Sequence, residues 1–130
     1  MNHLAPHGEF QVPTETRPFF EELFAAVPDY TYELLDVLAR DGRVTVRWRA
    51  TGRFSGRPLR GLRANGTRLD FEGVDILRVE GGLICGNDAY WDEAGSARAI
   101  GLLPATGSRL ERALFAVFNA RVAVTARFRR

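Results

Sequence analysis

Three aspartates lie within or directly beside stretches of sequence that carry aromatic residues. Asp75 lies in the middle of a predicted strand, Asp88 lies in the following strand, and Asp92 comes directly after that strand. A carboxylate that aromatic side chains shield from water can take up a proton and return it near neutral pH. These residues therefore predict acid–base chemistry, with Asp92, Asp88 and Asp75 as the candidate catalytic residues.

Each of these aspartates also has a purely structural interpretation. Asp92 precedes a predicted helix that runs to Ile100, and Asp is among the residues that cap helix N-termini well. Asp75 is also consistent with a charge on an edge strand. Asp88 is also consistent with a surface carboxylate paired to an arginine, which contributes little to stability. The sequence leaves both interpretations open for all three residues.

Five further residues are candidates for lining a binding pocket. In the predicted strand from Leu83 to Trp91, Asn87 and Trp91 share one face, while Asp88 and Tyr90 share the other. Aromatic residues at alternating strand positions are also typical of an ordinary core. The predicted substrate-binding set is Trp48, Phe71, Asn87, Tyr90 and Trp91, with Asn87 as a hydrogen-bond donor.

The sequence predicts neither a metal nor a cofactor. His3 and His7 are the only histidines and lie near the start of the chain, so we expect no histidine-based catalytic pair. The spacing of Cys, His, Asp and Glu matches no zinc pattern, and the glycine-rich residues 53–66 lack the Gly-Lys-Ser/Thr of a phosphate-binding loop. Cys85, the only cysteine, is interpreted as a buried small residue and not as a nucleophile.

The spacing of apolar residues along the chain predicts the helices and strands that position these candidates. Apolar residues at helical spacing from Phe19 onward predict a helix, with Thr16 as its N-cap. An Asp-Gly pair at residues 41–42 predicts a tight hairpin. In the strand at residues 44–50, apolar residues alternate with arginine and threonine. We expect the apolar set, Trp48 included, to face the core or a pocket, and the arginines to face solvent.

The remainder of the chain completes a small α+β domain. The glycine- and arginine-rich residues 51–67 predict a long loop or a bulged hairpin, a type of segment that often binds ligands. Two strands follow, at residues 69–79 and 83–91. We predict a single domain over residues 1–130, an antiparallel sheet packed by helices, with residues 105–130 as a C-terminal helical extension.

The composition argues against several classes of protein. The net charge is only +2, and the 18 basic residues, all arginine, are interspersed with 16 acidic ones, so we expect no nucleic-acid binding. No apolar run approaches the roughly 20 residues that cross a bilayer. The start of the chain lacks the basic and apolar segments of a secretory signal. We therefore predict a cytoplasmic protein with no membrane partner.

The order of several short motifs resembles that of the SnoaL-like family. The matching segments are Pro28-Asp29, Thr51-Gly52-Arg53-Phe54-Ser55-Gly56, Gly61 to Gly66, Gly73 to Val79, Tyr90-Trp91-Asp92 and Arg98 to Pro104. Each segment is weak evidence alone, but their order and spacing together are specific over residues 19–104. The resemblance implies a nuclear transport factor 2-like fold, a cone formed by a curved antiparallel sheet packed by helices.

The resemblance also implies a type of chemistry. In SnoaL-like cyclases an aspartate removes a proton next to a carbonyl so that a carbon–carbon bond forms, and Asp92 matches that position. Related epoxide hydrolases and ketosteroid isomerases use carboxylates to activate water or to shuttle protons. The implied substrate is a hydrophobic, polyketide- or terpenoid-like molecule, and no cofactor is implied. This chain departs from the family in having Asn87-Asp88 where many members have His-Trp, and in having fewer residues before Phe19.

Three classes of function remain open at this point: a cofactor-free enzyme, a non-catalytic ligand-binding module and an interaction protein. An enzyme predicts a carboxylate buried against Trp and Tyr, whereas a binding module predicts a pocket with only amide and hydroxyl groups. An interaction protein predicts a large exposed apolar patch. In each case we expect a homodimer, because the outer face of the sheet and the apolar stripe of the last helix both need cover.

Overall fold

The fold consists of a sheet with helices packed against it. A computed structural model describes the chain at residues 2–4, 8–10 and 14–128. The elements are β1 (Asn2–Leu4), β2 (Gly8–Phe10), α1 (Thr16–Ala26), β3 (Thr31–Arg40), β4 (Arg43–Arg53), β5 (Arg68–Glu80), β6 (Leu83–Trp91), α2 (Glu93–Ala99) and α3 (Arg109–Phe128). The expectations for the side chains of His3 and His7 fall outside the described part of the chain.

The strands in the described ranges form one six-stranded sheet in the order β2-β1-β6-β5-β4-β3. Strands β3 to β6 run antiparallel to one another, whereas β1 pairs in parallel with β6. The curved sheet and its helices confirm the predicted α+β class. Since β5 lies between β4 and β6, Asp75 is not on an edge strand.

Two tight turns connect the central strands. Asp41 (φ 50°) and Gly42 (φ 74°) join β3 to β4, as the Asp-Gly pair predicts. Gly81 (φ 58°) and Gly82 (φ 77°) join β5 to β6. A left-handed backbone at both central residues is the geometry of the two-residue type I′ turn, whose twist matches that of the strands. These turns fix the strand register that aligns the residues of the site.

The side chains of β4 divide between the two faces of the sheet as predicted. Val46, Trp48 and Ala50 are buried, whereas Arg47 and Arg49 on the opposite side are exposed. We call the face that carries Trp48 the concave face and the arginine face the convex face. The alternation of apolar and charged residues therefore predicts correctly which side chains of β4 lie on each face of the sheet.

A bulge in β3 changes which of its residues reach the concave face. The pairing with β4 shifts between Leu34 and Asp36, so that Leu34 lies opposite Trp48 and Val37 lies opposite Val46. A bulge adds one residue to one strand, which reverses the alternation beyond it. β3 therefore presents apolar side chains to the concave face on both sides of the bulge, which simple alternation does not predict.

The long loop after β4 is attached to the C-terminal end of α1. The Gly56 amide donates a hydrogen bond to the Ala26 carbonyl at 2.9 Å, which satisfies one of the last carbonyls of the helix. The Asp29 carboxylate accepts a hydrogen bond from the Arg53 amide at 2.7 Å. These bonds hold the loop over a core cluster that consists of Ala26, Val27, Phe54 and Leu69.

The helix ends agree with the sequence except at α1. The prediction that Thr16 caps α1 is wrong, because Thr16 is itself the first helical residue and its hydroxyl is buried without a hydrogen-bond partner. Asp92 caps α2 by accepting a hydrogen bond from the Gly95 amide at 2.8 Å. In α3, every side chain from residue 112 to residue 127 is exposed. Among the described residues, no helix has the length and apolar content that crossing a membrane requires.

Candidate functional site

A cavity of about 540 Å³ lies between the concave face of the sheet and the elements that cover it, which are α1, α2 and the long loop. Its volume is in the range of small-molecule sites, and most of its lining is apolar. Eight aromatic side chains form much of its wall: Phe19, Phe20, Tyr30, Tyr32, Trp48, Phe54, Phe71 and Trp91. The cavity therefore suits a hydrophobic molecule of moderate size.

The aromatic rings pack against one another around this space. The ring centroids of Trp48 and Phe71 lie 5.9 Å apart in an edge-to-face arrangement, and those of Tyr32 and Trp48 lie 5.1 Å apart. On the opposite side, Phe19 of α1 approaches Trp91 of β6 at 6.4 Å. Such contacts stabilise beyond the area that they bury, so they fix the shape of the cavity.

Asp75 is a carboxylate of the cavity lining, and neighbouring side chains hold both of its oxygens. The indole N–H of Trp48 donates a hydrogen bond to Asp75 Oδ1 at 2.9 Å. The amide of Asn87 donates a hydrogen bond to Asp75 Oδ2 at 3.2 Å. Since Trp48 lies on β4 and Asn87 on β6, the two strands that flank β5 orient the carboxylate from both sides. Both donors are neutral, so neither cancels the negative charge of the carboxylate.

Gly73 makes the bond between Trp48 and Asp75 possible. Trp48 pairs with Gly73 in the sheet, two residues before Asp75 on the same face. A Cβ atom at Gly73 would lie within 2.6 Å of both the Trp48 ring and the Tyr90 carbonyl oxygen. The indole therefore lies across the bare backbone of Gly73 to reach Asp75. No local sequence signal marks this role of Gly73, which becomes visible only once the strand register is known.

The negative charge of Asp75 affects the pKa values of two nearby tyrosines, Tyr30 and Tyr32. Burial, and secondarily the charge of Asp75, raises the pKa of Tyr30 to about 12. The same two causes, in the same order, raise the pKa of Tyr32, with a smaller contribution from Tyr30. Both phenols therefore stay protonated near neutral pH and can donate hydrogen bonds to a ligand. The sequence analysis did not select them, although Tyr32 lies opposite Ala50 and shares the face of Trp48.

Of the predicted pocket residues, the structure brings four together and leaves one outside. Trp48, Phe71, Asn87 and Trp91 all line the cavity. Tyr90 is not part of the lining and has 46% of its surface exposed on the convex side of β6. This placement follows from the alternation of β6, in which Asn87 and Trp91 face one way and Tyr90 the other.

Of the three candidate catalytic aspartates, only Asp75 lines the cavity. Asp88 pairs with Ile76 and lies on the convex face of β6. Asp92 is oriented toward the first turn of α2, where Oδ1 caps the helix. The family position therefore corresponds to a helix cap in this chain, whereas Asp75, the candidate aspartate that lines the cavity, lies on β5. The catalytic roles themselves remain predictions.

A second polar group of the cavity is formed by Arg60 and Glu93, which sequence reasoning also missed. A guanidinium nitrogen of Arg60 lies 3.8 Å from Glu93 Oε1, and the Arg60 amide donates a hydrogen bond to Glu22 at 2.8 Å. Arg60 comes from the long loop and Glu93 from α2, so two of the covering elements are linked here. The loop thus contributes to the site, as its length and composition suggested.

The prediction for Cys85 was wrong as to its burial. Cys85 is exposed, and it lies where the pairing of β5 with β6 is interrupted by a shift in register. Its thiol donates a hydrogen bond to the Arg78 carbonyl at 3.4 Å. Within the described ranges, no group of three or more His, Cys, Asp or Glu side chains is placed to hold a metal ion.

Comparison with known families identifies the class of protein. The profile of the SnoaL-like polyketide cyclase family matches residues 1–100, so this chain belongs to that family. A comparison with curated protein sequences finds no match. The family match covers all four strands of the antiparallel sheet as well as the cavity residues they carry.

Solved structures support the same fold. AclR from Streptomyces galilaeus superposes with a TM-score of 0.69 at 18% identity, covering 95% of this chain and 82% of AclR. TsrD from Streptomyces laurentii gives a TM-score of 0.63 at 27% identity, covering 68% of this chain and 65% of TsrD. A SnoaL-like polyketide cyclase from Agrobacterium tumefaciens gives a TM-score of 0.59 at 20% identity, covering 78% of this chain and 76% of that protein. The nuclear transport factor 2-like α+β fold is thereby confirmed.

Proposed function

We propose that this protein is an acid–base catalyst of the cyclase or isomerase type, which acts on a hydrophobic carbonyl compound with Asp75 as its base. The observation that carries the proposal is the carboxylate of Asp75, held by Trp48 and Asn87 in a cavity with aromatic walls. A pocket that only binds ligands needs no such carboxylate. Membership of the SnoaL-like polyketide cyclase family supports the same class of chemistry.

The proposed reaction begins with proton transfer from carbon to Asp75. A carboxylate oxygen takes the proton from a carbon next to a substrate carbonyl, and the electron pair of the broken C–H bond moves into that carbonyl to give an enolate. In a cyclase, the enolate carbon attacks a second carbonyl of the same molecule, and the proton on Asp75 passes to the new alkoxide. In an isomerase, the proton returns to a different carbon. Neither route changes the oxidation state of the substrate, so the step requires no redox cofactor.

The hydrogen bonds to Asp75 serve this role by fixing the direction of the base. Trp48 and Asn87 each occupy one lone-pair position, and a carboxylate offers about four in all. Free lone pairs therefore remain for the substrate proton. A base held in a single orientation contributes more to catalysis than a mobile one, because the reacting atoms are already aligned.

Tyr30 and Tyr32 are the proposed donors to the enolate oxygen. Both line the cavity near Asp75, and their raised pKa values keep the phenols protonated while negative charge develops on the substrate. Hydrogen-bond donors aimed at a developing oxyanion in a site with little water are a major source of catalysis. A substrate carbonyl between the phenols and Asp75 therefore receives a donor at oxygen and a base at the adjacent carbon.

Tryptophan fluorescence measures ligand binding and deuterium exchange measures proton abstraction, and together they test the proposal. The chain contains two tryptophans, Trp48 and Trp91, and both line the cavity, so tryptophan fluorescence reports occupancy. Hydrophobic ketones such as 2-tetralone and larger polycyclic ketones are first screened for quenching. Those that bind are then incubated with the enzyme in D₂O, and NMR follows the replacement of hydrogen next to the carbonyl.

We expect the wild type to accelerate this exchange, and Asp75→Asn to reduce the rate by on the order of 10²- to 10⁴-fold, the usual contribution of a general base. Quenching by the ketone should persist in the variant, because Asn preserves the shape of the side chain. Exchange at the wild-type rate in Asp75→Asn contradicts the proposal. Binding without any exchange by the wild type assigns the cavity to a ligand-binding module instead.

A further inference from the structure

We propose that the substrate carries a hydroxyl group at the end away from its reacting carbonyl, and that Arg60 and Glu93 bind this hydroxyl. The inference deepens the proposed function and rests on it, because it takes the cavity as the binding site of the carbonyl compound. It assigns a role to the covering side of the cavity, which the chemistry at Asp75 does not use. Arg60 and Glu93 then determine which carbonyl compounds the site accepts.

Polar side chains of the cavity lie on two different walls. Asp75 and Asn87 lie on strands of the sheet, whereas Arg60, Glu93 and Ser96 lie on the elements that cover it. We call these three covering residues the polar corner. Most of the lining between the sheet and the polar corner is apolar. A ligand that fills the cavity therefore meets polar groups at two separate places.

A two-residue turn holds Arg60 in the polar corner. Leu59 and Leu62 exchange two backbone hydrogen bonds, at 3.0 and 2.9 Å, and Arg60 and Gly61 between them have φ angles of 49° and 81°. These are the features of a type I′ turn, in which Asn, Asp and Gly are the preferred residues. An arginine in this left-handed conformation is uncommon, and backbone outliers of this kind cluster at functional sites.

The turn is anchored without the charge of Arg60. Glu22 of α1 accepts a hydrogen bond from the backbone amide of Arg60 at 2.8 Å. Leu59 and Leu62, on either side, pack against the core cluster of the long loop. Since the backbone and the two leucines already fix the turn, its geometry does not explain why the residue at this position is an arginine. The guanidinium is therefore the part of the turn that is placed to serve a ligand.

The combination of Arg60 with Glu93 matches a group that both donates and accepts. The side chains of Arg60 and Glu93 are 59% and 39% exposed, so a ligand can reach both. A guanidinium only donates hydrogen bonds and a carboxylate only accepts them, whereas a hydroxyl does both. Ser96 donates its own hydroxyl proton to the Asp92 carbonyl at 3.0 Å, so it offers a ligand only an acceptor. A carboxylate on the ligand is a poorer match, because Glu93 repels it.

Binding of matched ketones tests the inference. One pair is 2-tetralone and 6-hydroxy-2-tetralone, and the other is 3-deoxyestrone and estrone. Each pair differs by one hydroxyl, and the two scaffolds place it at different distances from the carbonyl. The charged counterpart is 6-carboxy-2-tetralone. Tryptophan fluorescence measures binding, with excitation at the red edge of the absorption band, where phenols absorb little.

The variants separate the polar corner from the rest of the site. Arg60→Met removes the donors, and Arg60→Lys restores a positively charged donor. Arg63→Met is the matched control, because Arg63 is an exposed arginine of the same loop outside the cavity lining. Asp75→Asn removes the proposed base and leaves the polar corner intact. Circular dichroism verifies that each variant is folded.

We expect the hydroxylated ketone of at least one pair to bind on the order of 10-fold more tightly than its counterpart, as for a hydrogen bond to a charged group. Arg60→Met should abolish this preference, and Arg60→Lys should retain part of it. Arg63→Met and Asp75→Asn should keep it in full. Glu93→Gln should instead tighten the binding of 6-carboxy-2-tetralone, because the repelling charge is gone.

Two results overturn the inference. One is the absence of a hydroxyl preference in both pairs, or a preference that survives Arg60→Met. The other is tighter binding of 6-carboxy-2-tetralone than of 6-hydroxy-2-tetralone to the wild type, which assigns the polar corner to an acidic group. Failure of the proposed function is distinguishable from these, since it leaves the hydroxyl preference in place while the wild type exchanges no ketone hydrogen.

Discussion

Strand β5 carries carboxylates on both of its faces, and their surroundings differ from one face to the other. On the concave face, Asp75 accepts hydrogen bonds from the neutral side chains of Trp48 and Asn87 within an aromatic cavity. On the convex face of the same strand, Asp70 binds the Arg49 guanidinium in solvent, at 2.5 Å. Hydrogen bonding to Arg49 and its positive charge lower the pKa of Asp70 below its usual range.

The difference shows how one strand can present a carboxylate paired with arginine on one face and a carboxylate held by neutral donors on the other. An arginine neutralises a carboxylate, so the convex pair is inert toward protons near neutral pH. Neutral donors orient the concave carboxylate without cancelling its charge. The alternation of the strand, with a period of two residues, assigns each carboxylate to its face.

The largest structural effect is expected from filling the space above Gly73. In Gly73→Val the new side chain overlaps both the Trp48 indole and the Tyr90 carbonyl oxygen. We therefore expect a loss of about 3 kcal/mol or more in unfolding free energy, the upper end of the range for overpacked cores. Denaturant unfolding measures the change. Glu72→Val, the adjacent residue on the convex face, is the matched control and should have a much smaller effect. Wild-type stability in Gly73→Val would mean that the indole does not cross this position.

A smaller effect is expected from removing only the donor of Trp48. Trp48→Phe keeps an aromatic ring but deletes the N–H that binds Asp75, so we expect a loss of about 1.5–3 kcal/mol at most, the range for hydrogen bonds to charged groups. Ketone exchange should slow because the base is no longer fixed. Arg49→Gln on the convex face should leave exchange unchanged. Equal loss of exchange in both variants contradicts the separation of the two faces.

The smallest and most specific effect concerns Tyr30. An unfolded tyrosine ionises near pH 10, whereas Tyr30 in the folded protein does so at about 12. Its contribution to stability is therefore complete below pH 10 and declines as the pH rises from 10 to 12, because only the unfolded state has lost its proton. Absorbance at 295 nm follows the titration. In Asp75→Asn the pKa should fall but stay above 10, since burial is the larger cause.

The sequence predicts the elements well because their signals are local. The alternation around Trp48, the Asp-Gly turn at residues 41–42 and the helix cap at Asp92 each depend on a few neighbouring residues. The grouping of Trp48, Asp75 and Asn87 depends on the mutual register of three strands, which no single stretch encodes. The bulge in β3 and the space above Gly73 are likewise properties of the paired strands. The sequence therefore offered Trp48, Asp75 and Asn87 as separate candidates without indicating that they bond to one another.

Family resemblance and physical placement also point to different aspartates. Asp92 occupies the family position, yet it caps α2 in this chain. Asp75 was the candidate with an edge-strand alternative, yet it lies on an interior strand and faces the cavity. Burial and hydrogen bonding distinguish the two residues in a way that motif spacing does not.

The most direct test compares ketone exchange in Asp75→Asn, Asp88→Asn and Asp92→Asn under identical conditions. Each variant replaces one carboxylate by an amide of the same shape, so the three differ only in where the charge is removed. We predict that Asp75→Asn loses the exchange while Asp88→Asn retains it, and that Asp92→Asn retains it with little change in stability, because Asn caps helix N-termini about as well as Asp. Loss of exchange in Asp88→Asn or Asp92→Asn, with wild-type exchange in Asp75→Asn, would contradict the assignment of the concave face as the active site.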